Sequence, residues 1–167
     1  PEFRNIQAFD SGPGNMAIDG AMRLLTSGSR EMDTDGKAAG AGMIIDEFLE
    51  YLLDHPFFSK VPPKSTGREE FGMQTYLRDA LTARSEHSLD DLVATVTEAV
   101  AQSILDAYDR FIRPDNPAEH IIVGGGGAFN KTLMERLRKG FGEAQLFTSD
   151  QYGIPTDARE AIAFALL

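Results

Sequence analysis

Two short apolar runs, each followed at once by glycines and then by a helical pattern, constrain the fold of this chain most strongly. The first run, residues 6–9, leads into Asp10-Ser11-Gly12-Pro13-Gly14-Asn15, and the second, residues 120–123, leads into four consecutive glycines. Glycine lets the backbone approach a ligand closely, and the following helix points free N–H groups and its positive dipole end at an anion. Each unit alone can be a tight turn with a helix cap or a phosphate-binding loop. Two such units in one chain favour phosphate binding.

Composition limits the classes of partner. A length of 167 residues with 42% hydrophobic and 25% charged residues is typical of one globular domain, or one lobe of a larger protein. The net charge of −10, without a basic cluster, argues against nucleic acid or anionic membranes as partners. The absence of cysteine excludes thiol catalysis and disulfides and fits a reducing compartment, so we expect a cytoplasmic protein. No apolar run reaches the roughly 18 residues of a membrane span.

Periodicity predicts short strands and longer helices. Strands are predicted at residues 5–9, 120–123 and 145–148, with 120–123 buried, which gives a three-stranded sheet with an unpaired edge. Ser88 and Asp91 predict the start of the longest helix, which ends near Phe111. Further helices are predicted at residues 15–27, 44–52, 73–83, 133–140 and 157–167. The alternation of strands, glycine loops and helices indicates an α/β fold.

A proline-stiffened polar loop, residues 62–69, has the sequence Pro-Pro-Lys-Ser-Thr-Gly-Arg-Glu. We expect it to expose Lys64, Ser65, Thr66 and Arg68, which could hold a substrate hydroxyl or phosphate. The alternative is a surface connection in which Lys64 pairs with Glu70, or Arg68 with Glu69.

Glu160 lies in a mostly apolar helix, and since burial of an unpaired carboxylate is costly, it points either to solvent or to a cation.

Four blocks of the sequence stand in the order and spacing of one family. They are residues 9–15, 62–69, 124–130 and 153–161. They resemble the C-terminal part of the anhydro-N-acetylmuramic acid kinases and the similar fungal levoglucosan kinases. The resemblance implies the actin/Hsp70/sugar-kinase architecture, in which two ribonuclease-H-like lobes close over ATP and a sugar. It also implies that residues 1–167 are the C-terminal lobe, with the sheet incomplete.

The resemblance further implies a reaction in which water opens the 1,6-anhydro bridge while O6 receives the γ-phosphoryl group of ATP. Asp10 would be the general base, and Glu160 would hold Mg²⁺ or the attacking water. Lys64 and Arg68 would bind the sugar. ATP would lie against two sets of residues, which are Gly12, Gly14 and Asn15 in the first loop and Gly124, Gly125, Gly126, Gly127 and Asn130 in the second.

Two departures from the family pattern bear on activity. Ser11 stands where the family usually has threonine, which keeps the hydroxyl. The family's N-terminal phosphate loop and the first strands of this lobe are absent from these residues, so we predict that the isolated chain lacks kinase activity. It would need its N-terminal lobe or another chain, for example in a homodimer. The alternatives are a levoglucosan kinase and a non-catalytic nucleotide-binding module of the Hsp70-like branch.

Overall fold

The computed structural model describes residues 6–67, 70–71, 76–156, 158, 162 and 165, a part of the chain that contains seven α-helices and two β-strands. The helices are α1 (Asn15–Leu25), α2 (Lys37–Ala41), α3 (Asp46–Leu53), α4 (Pro56–Ser59), α5 (Arg78–Thr82), α6 (Leu89–Phe111) and α7 (Lys131–Phe141). The strands are β1 (His120–Val123) and β2 (Gln145–Thr148). Short 3₁₀ turns lie at Thr34–Gly36, Gly126–Phe129 and Ser149–Tyr152.

Helix α6 forms the centre of the core. It begins at the predicted cap, where the Ser88 hydroxyl accepts a hydrogen bond from the N–H of Asp91 at 3.1 Å. Its buried side chains follow the helical period, and α1, α2, α3 and α7 all pack against it. The predicted helices at 15–27, 44–52, 89–111 and 133–140 are confirmed to within a few residues.

Two predicted helices are described in part. Helix α5 covers residues 78–82 of the helix predicted at 73–83, of which residues 73–75 lie outside the described residues. Most of the helix predicted at 157–167 also lies outside them.

The sheet consists of β1 and β2, which pair in parallel with His120 opposite Gln145 and Val123 opposite Thr148. Helix α7 makes the crossover that parallel neighbours require. The prediction that β1 is buried is wrong, because its side chains alternate between exposed and half-buried, and Ile122 is 53% exposed. Within the described part of the chain, β1 pairs along one edge alone, so the sheet does not enclose it.

The strand predicted at residues 5–9 is also wrong over residues 6–9, and the predicted three-stranded sheet is a two-stranded one in the described residues. A strand needs a neighbouring backbone to form its ladder, and among the described residues the one ladder joins β1 and β2 and leaves residues 6–9 out. Phe9 instead packs edge-on against Phe111, with ring centroids 5.8 Å apart. A cavity of about 740 Å³ is lined both by residues 7–11 and by Ile121 of β1.

Candidate active site

Asp10 binds the loop formed by Lys64, Ser65 and Thr66, which we call the 64–66 loop. The N–H of Asp10 donates to the carbonyl of Lys64 at 3.0 Å. The Ser65 hydroxyl donates to Oδ2 of Asp10 at 3.0 Å, and the N–H of Thr66 donates to the same oxygen at 2.8 Å. The fold therefore brings the predicted general base and the predicted substrate loop together across more than fifty residues of sequence.

Lys64 is buried in this loop, in contrast to the predicted exposure. Its side chain is covered because the ammonium lies over two aromatic rings, 4.7 Å from the centroid of Phe57 and 5.3 Å from that of Phe111. Nζ also donates to the carbonyl of Phe57 at 3.4 Å. Burial, followed by the charge of Arg110, lowers the pKa of Lys64 below its ordinary value. Its direct contact with a sugar stays a prediction, since the described contacts of Nζ are with protein groups.

The far side of the 64–66 loop is held by an ion-paired carboxylate. The Thr66 hydroxyl donates to Glu70 at 2.9 Å, and Lys60 pairs with the other oxygen of Glu70 at 2.9 Å. Hydrogen bonds from Lys60 and then Thr66 hold the pKa of Glu70 below its ordinary value. The alternative ion pair between Lys64 and Glu70 does not form, since Glu70 pairs with Lys60 and the Lys64 ammonium lies over the rings of Phe57 and Phe111.

The first glycine loop, residues 10–14, uses its two glycines differently. A methyl group on Gly12 would lie 2.8 Å from Cε1 of Phe58 and 3.1 Å from the hydroxyl of Ser103, so close packing requires glycine there. Gly14 is the N-cap of α1 with φ of 58° and ψ of −154°, a conformation that favours glycine. No side chain caps α1, and no described atom lies within 4 Å of the position a Gly14 side chain would take.

The second glycine loop, residues 124–127, lies beside the start of α1. Gly125 has φ of 87°, and its N–H donates to the carbonyl of Thr156 at 3.1 Å. Methyl groups on Gly126 and Gly127 would lie 3.4 and 3.5 Å from atoms of Asn15. The structure thus brings together Asn15 and the second glycine loop, which the sequence assigned to the same ligand.

Asn130 caps the helix that follows the second loop. It is buried, and its Oδ1 accepts a hydrogen bond from the N–H of Leu133 at 3.0 Å. A side chain on Gly36 would collide with this oxygen, so Gly36 and Asn130 pack in direct contact. The described contact of Oδ1 is therefore structural, and the predicted contact of Asn130 with a nucleotide stays a prediction.

Asp19 is a candidate site residue that the sequence interpretation missed. It lies one turn after Asn15 on α1 and accepts a hydrogen bond from the Asn15 amide at 2.9 Å. Burial raises the pKa of Asp19 above its ordinary value, although Arg23 and Asn15 act in the opposite direction. The four-residue spacing of Asn15 and Asp19 in a helix was the available signal. The hydrogen bonds of Ser65 and Thr66 to Asp10 had no such local signal.

Two predicted site residues, Arg68 and Glu160, lie outside the described residues. Among the residues that the structure describes, no group of three or more histidine or acidic side chains could hold a metal ion. In the same part of the chain, no helix combines the length and apolarity needed to cross a membrane.

The sequence profile of the family described as anhydro-N-acetylmuramic acid kinase matches residues 2–167. This chain belongs to that family. A relative from Caldanaerobacter subterraneus, named anhydro-N-acetylmuramic acid kinase, is 42% identical over 167 residues, which are 99% of this chain and 42% of the relative. A relative of the same name from Bacillus cereus is 43% identical over 165 residues, 98% of this chain and 42% of its own length. The chain thus spans about two fifths of the curated relatives it matches.

Proposed function

We propose that residues 1–167 form the C-terminal lobe of a two-lobed anhydrosugar kinase of the actin/Hsp70/sugar-kinase fold. Its substrates would be ATP and 1,6-anhydro-N-acetylmuramic acid. Family membership and the shared name of the relatives support the substrate class. The helix-rich architecture with a small parallel sheet is compatible with one α/β lobe of such a kinase.

The observation that carries the proposal is the position of Asp10. Asp10 is half-buried, and its carboxylate accepts hydrogen bonds from the 64–66 loop. It is the first residue of the first glycine loop, residues 10–14, which ends at the uncapped N-terminus of α1. In the proposed reaction this carboxylate takes a proton from water, and the water oxygen bonds to the anomeric carbon. The bond between that carbon and the bridge oxygen breaks, and the bridge oxygen, O6, receives the γ-phosphoryl group as ADP leaves.

The two glycine loops would bind different parts of ATP. Gly12, Gly14 and the first N–H groups of α1 would face phosphate oxygens, because that helix end has no side-chain cap. The second glycine loop would form the adenosine side, and Asn15, which lies beside that loop at the first turn of α1, would stand between the adenosine and the phosphates. Asn130 would either contact the adenosine directly or hold the second loop through its cap of α7. Of the two residues predicted to bind the sugar, Arg68 is proposed for that role, and the buried Lys64 is proposed to support the 64–66 loop.

The described residues do not form a protein cage for Mg²⁺. Mg²⁺ is commonly held by substrate phosphates with one or two carboxylates, and Glu160 would be such a ligand here. When bound, the ion would neutralise phosphate charge.

The test is an assay of the full-length kinase that carries these residues, with ATP and either 1,6-anhydro-N-acetylmuramic acid or levoglucosan. We expect ADP and the 6-phosphate of the opened amino sugar, with much slower turnover of levoglucosan. Asp10→Asn should lower kcat by about 10²- to 10⁴-fold. Near-normal turnover by this variant would disprove the general-base role.

Two further measurements separate the alternatives. The isolated 167-residue chain should phosphorylate neither sugar. If the full-length protein bound Mg-ATP but turned over neither sugar, the chain would belong to a nucleotide-binding module instead.

A further inference from the structure

We propose that the 64–66 loop is a positioning device for Asp10, in which the Ser65 hydroxyl and the Thr66 N–H fix the orientation of the reactive carboxylate. This inference rests on the proposed general-base role of Asp10. The loop then acts on the chemical step and not on the binding of the sugar. The predicted substrate contact of Lys64 is replaced, in this interpretation, by a supporting role.

The geometry of the two hydrogen bonds carries the inference. Both go to Oδ2 of Asp10, at 3.0 and 2.8 Å, and the two donors come from adjacent residues, Ser65 and Thr66. Two donors at one oxygen fix the rotation of the carboxyl group. In the described part of the chain Oδ1 receives no hydrogen bond, so it is the oxygen we assign as proton acceptor.

The backbone of Asp10 is fixed to the same loop. Its N–H donates to the Lys64 carbonyl at 3.0 Å, so the 64–66 loop binds both the main chain and the side chain of the base. A general base must lie within hydrogen-bond reach of the proton it takes, and an error of about 1 Å in its position can cost on the order of a hundredfold in rate.

The loop is itself anchored on two sides. On the core side the buried Lys64 ammonium lies against Phe57 and Phe111, which belong to α4 and α6. On the solvent side Thr66 donates to Glu70, which is paired with Lys60. Both anchors are made by protein groups, so the loop is held in place without a sugar.

Ser65→Ala in the full-length kinase tests the proposal. Loss of one charge-assisted hydrogen bond to the base should lower kcat by about tenfold, with KM for ATP and for the sugar unchanged. Ser65→Thr, which keeps the hydroxyl, should restore most of the rate. A wild-type kcat in Ser65→Ala, or a raised sugar KM with unchanged kcat, would overturn the proposal.

Ser59→Ala is the matched control, because Ser59 is an exposed serine on α4 whose hydroxyl donates to the Pro56 carbonyl. It should leave kcat and both KM values unchanged. In the Asp10→Asn background, Ser65→Ala should cause little further loss, since the group it positions has been removed. A further tenfold loss there would show that Ser65 acts independently of Asp10 and would contradict the proposal.

Lys64→Met separates the supporting role from sugar binding. Methionine keeps an apolar stem over Phe57 and Phe111 but removes the charge. The proposal expects a lower kcat with an unchanged sugar KM, whereas a raised sugar KM would restore the substrate-binding role and reject the anchor.

The failure of this inference is distinguishable from failure of the proposed function. If the wild-type protein phosphorylated no anhydrosugar, the function would be wrong. If wild type were active, Asp10→Asn inactive and Ser65→Ala unimpaired, the function would stand and the positioning role would be rejected.

Discussion

The two glycine loops have the same layout in sequence but leave the following helices in different states. The N-cap of α1 is Gly14, which has no side chain, whereas the N-cap of α7 is Asn130, whose Oδ1 accepts a hydrogen bond from the N–H of Leu133 at 3.0 Å. First-turn N–H groups of a helix need partners from outside the helix. The α1 end is therefore available to an anion, while α7 already has an internal partner. We infer that phosphate belongs at the first loop.

The glycines in the two loops are also required for different reasons. Gly12 is required by the ring of Phe58 against it, whereas Gly14 and Gly125 are required by positive φ. These two causes can be separated by mutation. Shortening a neighbouring side chain relieves a steric clash at a glycine, but it does not change a positive φ that the fold imposes. This difference makes the comparison testable position by position.

The largest effects are expected from alanine at the glycines with positive φ. Gly14→Ala and Gly125→Ala should each lower the free energy of unfolding of the full-length kinase by about 1–3 kcal/mol, because their conformations are unfavourable for other residues. Urea unfolding followed by circular dichroism measures the change. Gly12→Ala should cost a similar amount, about 1–3 kcal/mol, through overpacking.

The background variant Phe58→Leu distinguishes the two causes. It should reduce the cost of Gly12→Ala, because it removes the ring atom that the added methyl group meets. The cost of Gly125→Ala should be the same in both backgrounds, since no described atom lies within 4 Å of that position. If Phe58→Leu reduced the cost of Gly12→Ala and of Gly125→Ala equally, the distinction between close packing at Gly12 and positive φ at Gly125 would be wrong.

The next effect concerns nucleotide affinity. The double exchange Asn15→Asp with Asp19→Asn keeps the hydrogen bond between these positions and the net charge, but moves a negative charge one turn toward the uncapped end of α1. The Kd for ATP should rise by about tenfold or more, because the charge would repel phosphate. Isothermal titration calorimetry of the full-length kinase measures it.

Asn130→Asp is the matched change at the other helix. It also adds a carboxylate at a helix N-terminus, but at one where the side chain already caps the helix, so the Kd for ATP should change by less than about threefold. If both changes weakened ATP binding equally, phosphate would lie between the two helix ends, and its assignment to the first loop would be wrong.

The sequence predicted the helices well because each buries one periodic face, as α6 does from Leu89 to Phe111. Through the resemblance alone it assigned Asn15 and the second glycine loop to one ligand, and the structure places them side by side. It failed for residues 6–9, because an apolar run becomes a strand only where a partner backbone lies beside it. That partner cannot be identified from the run itself.

Local sequence patterns could not predict the environment of Asp10 either. Its partners Ser65 and Thr66 are 55 and 56 residues away, and hydrogen bonds over that separation leave no periodic signal. Lys64 appeared exposed because lysine in a polar loop usually is, whereas here Phe57 and Phe111 cover the ammonium. Which aromatic rings meet a given lysine depends on the packing of α4 against α6.

A smaller effect is expected from removing the helix cap itself. Asn130→Ala should destabilise the full-length kinase by about 1 kcal/mol, because α7 loses its N-cap hydrogen bond. Asn15→Ala should cost about half as much or less, since Asn15 bonds the side chain of Asp19 and caps nothing. Urea unfolding measures both. If Asn130→Ala also weakened ATP binding tenfold, the predicted nucleotide contact of Asn130 would be supported and the division between the loops would need revision.

The smallest effect is a pH dependence specific to the second glycine loop. Asp150 accepts hydrogen bonds from the hydroxyl and the N–H of Thr156, whose carbonyl holds the N–H of Gly125. These bonds, that of the hydroxyl first, lower the pKa of Asp150 in the folded protein. A carboxyl whose pKa is lower when folded stabilises the protein above its unfolded pKa, and this contribution is lost as pH falls through the folded pKa.

Asp150→Asn should therefore lower the Tm of the full-length kinase slightly at neutral pH, and the difference from wild type should shrink as acid protonates Asp150. The exposed Asp115 provides the control, and Asp115→Asn should leave Tm close to wild type at every pH. Because Asp150 reaches the second loop through Thr156, hydrogen exchange at Gly125 should speed up in Asp150→Asn while the first loop is unaffected. Equal acceleration in both loops would mean that they form one cooperative unit, which would weaken the distinction drawn between them.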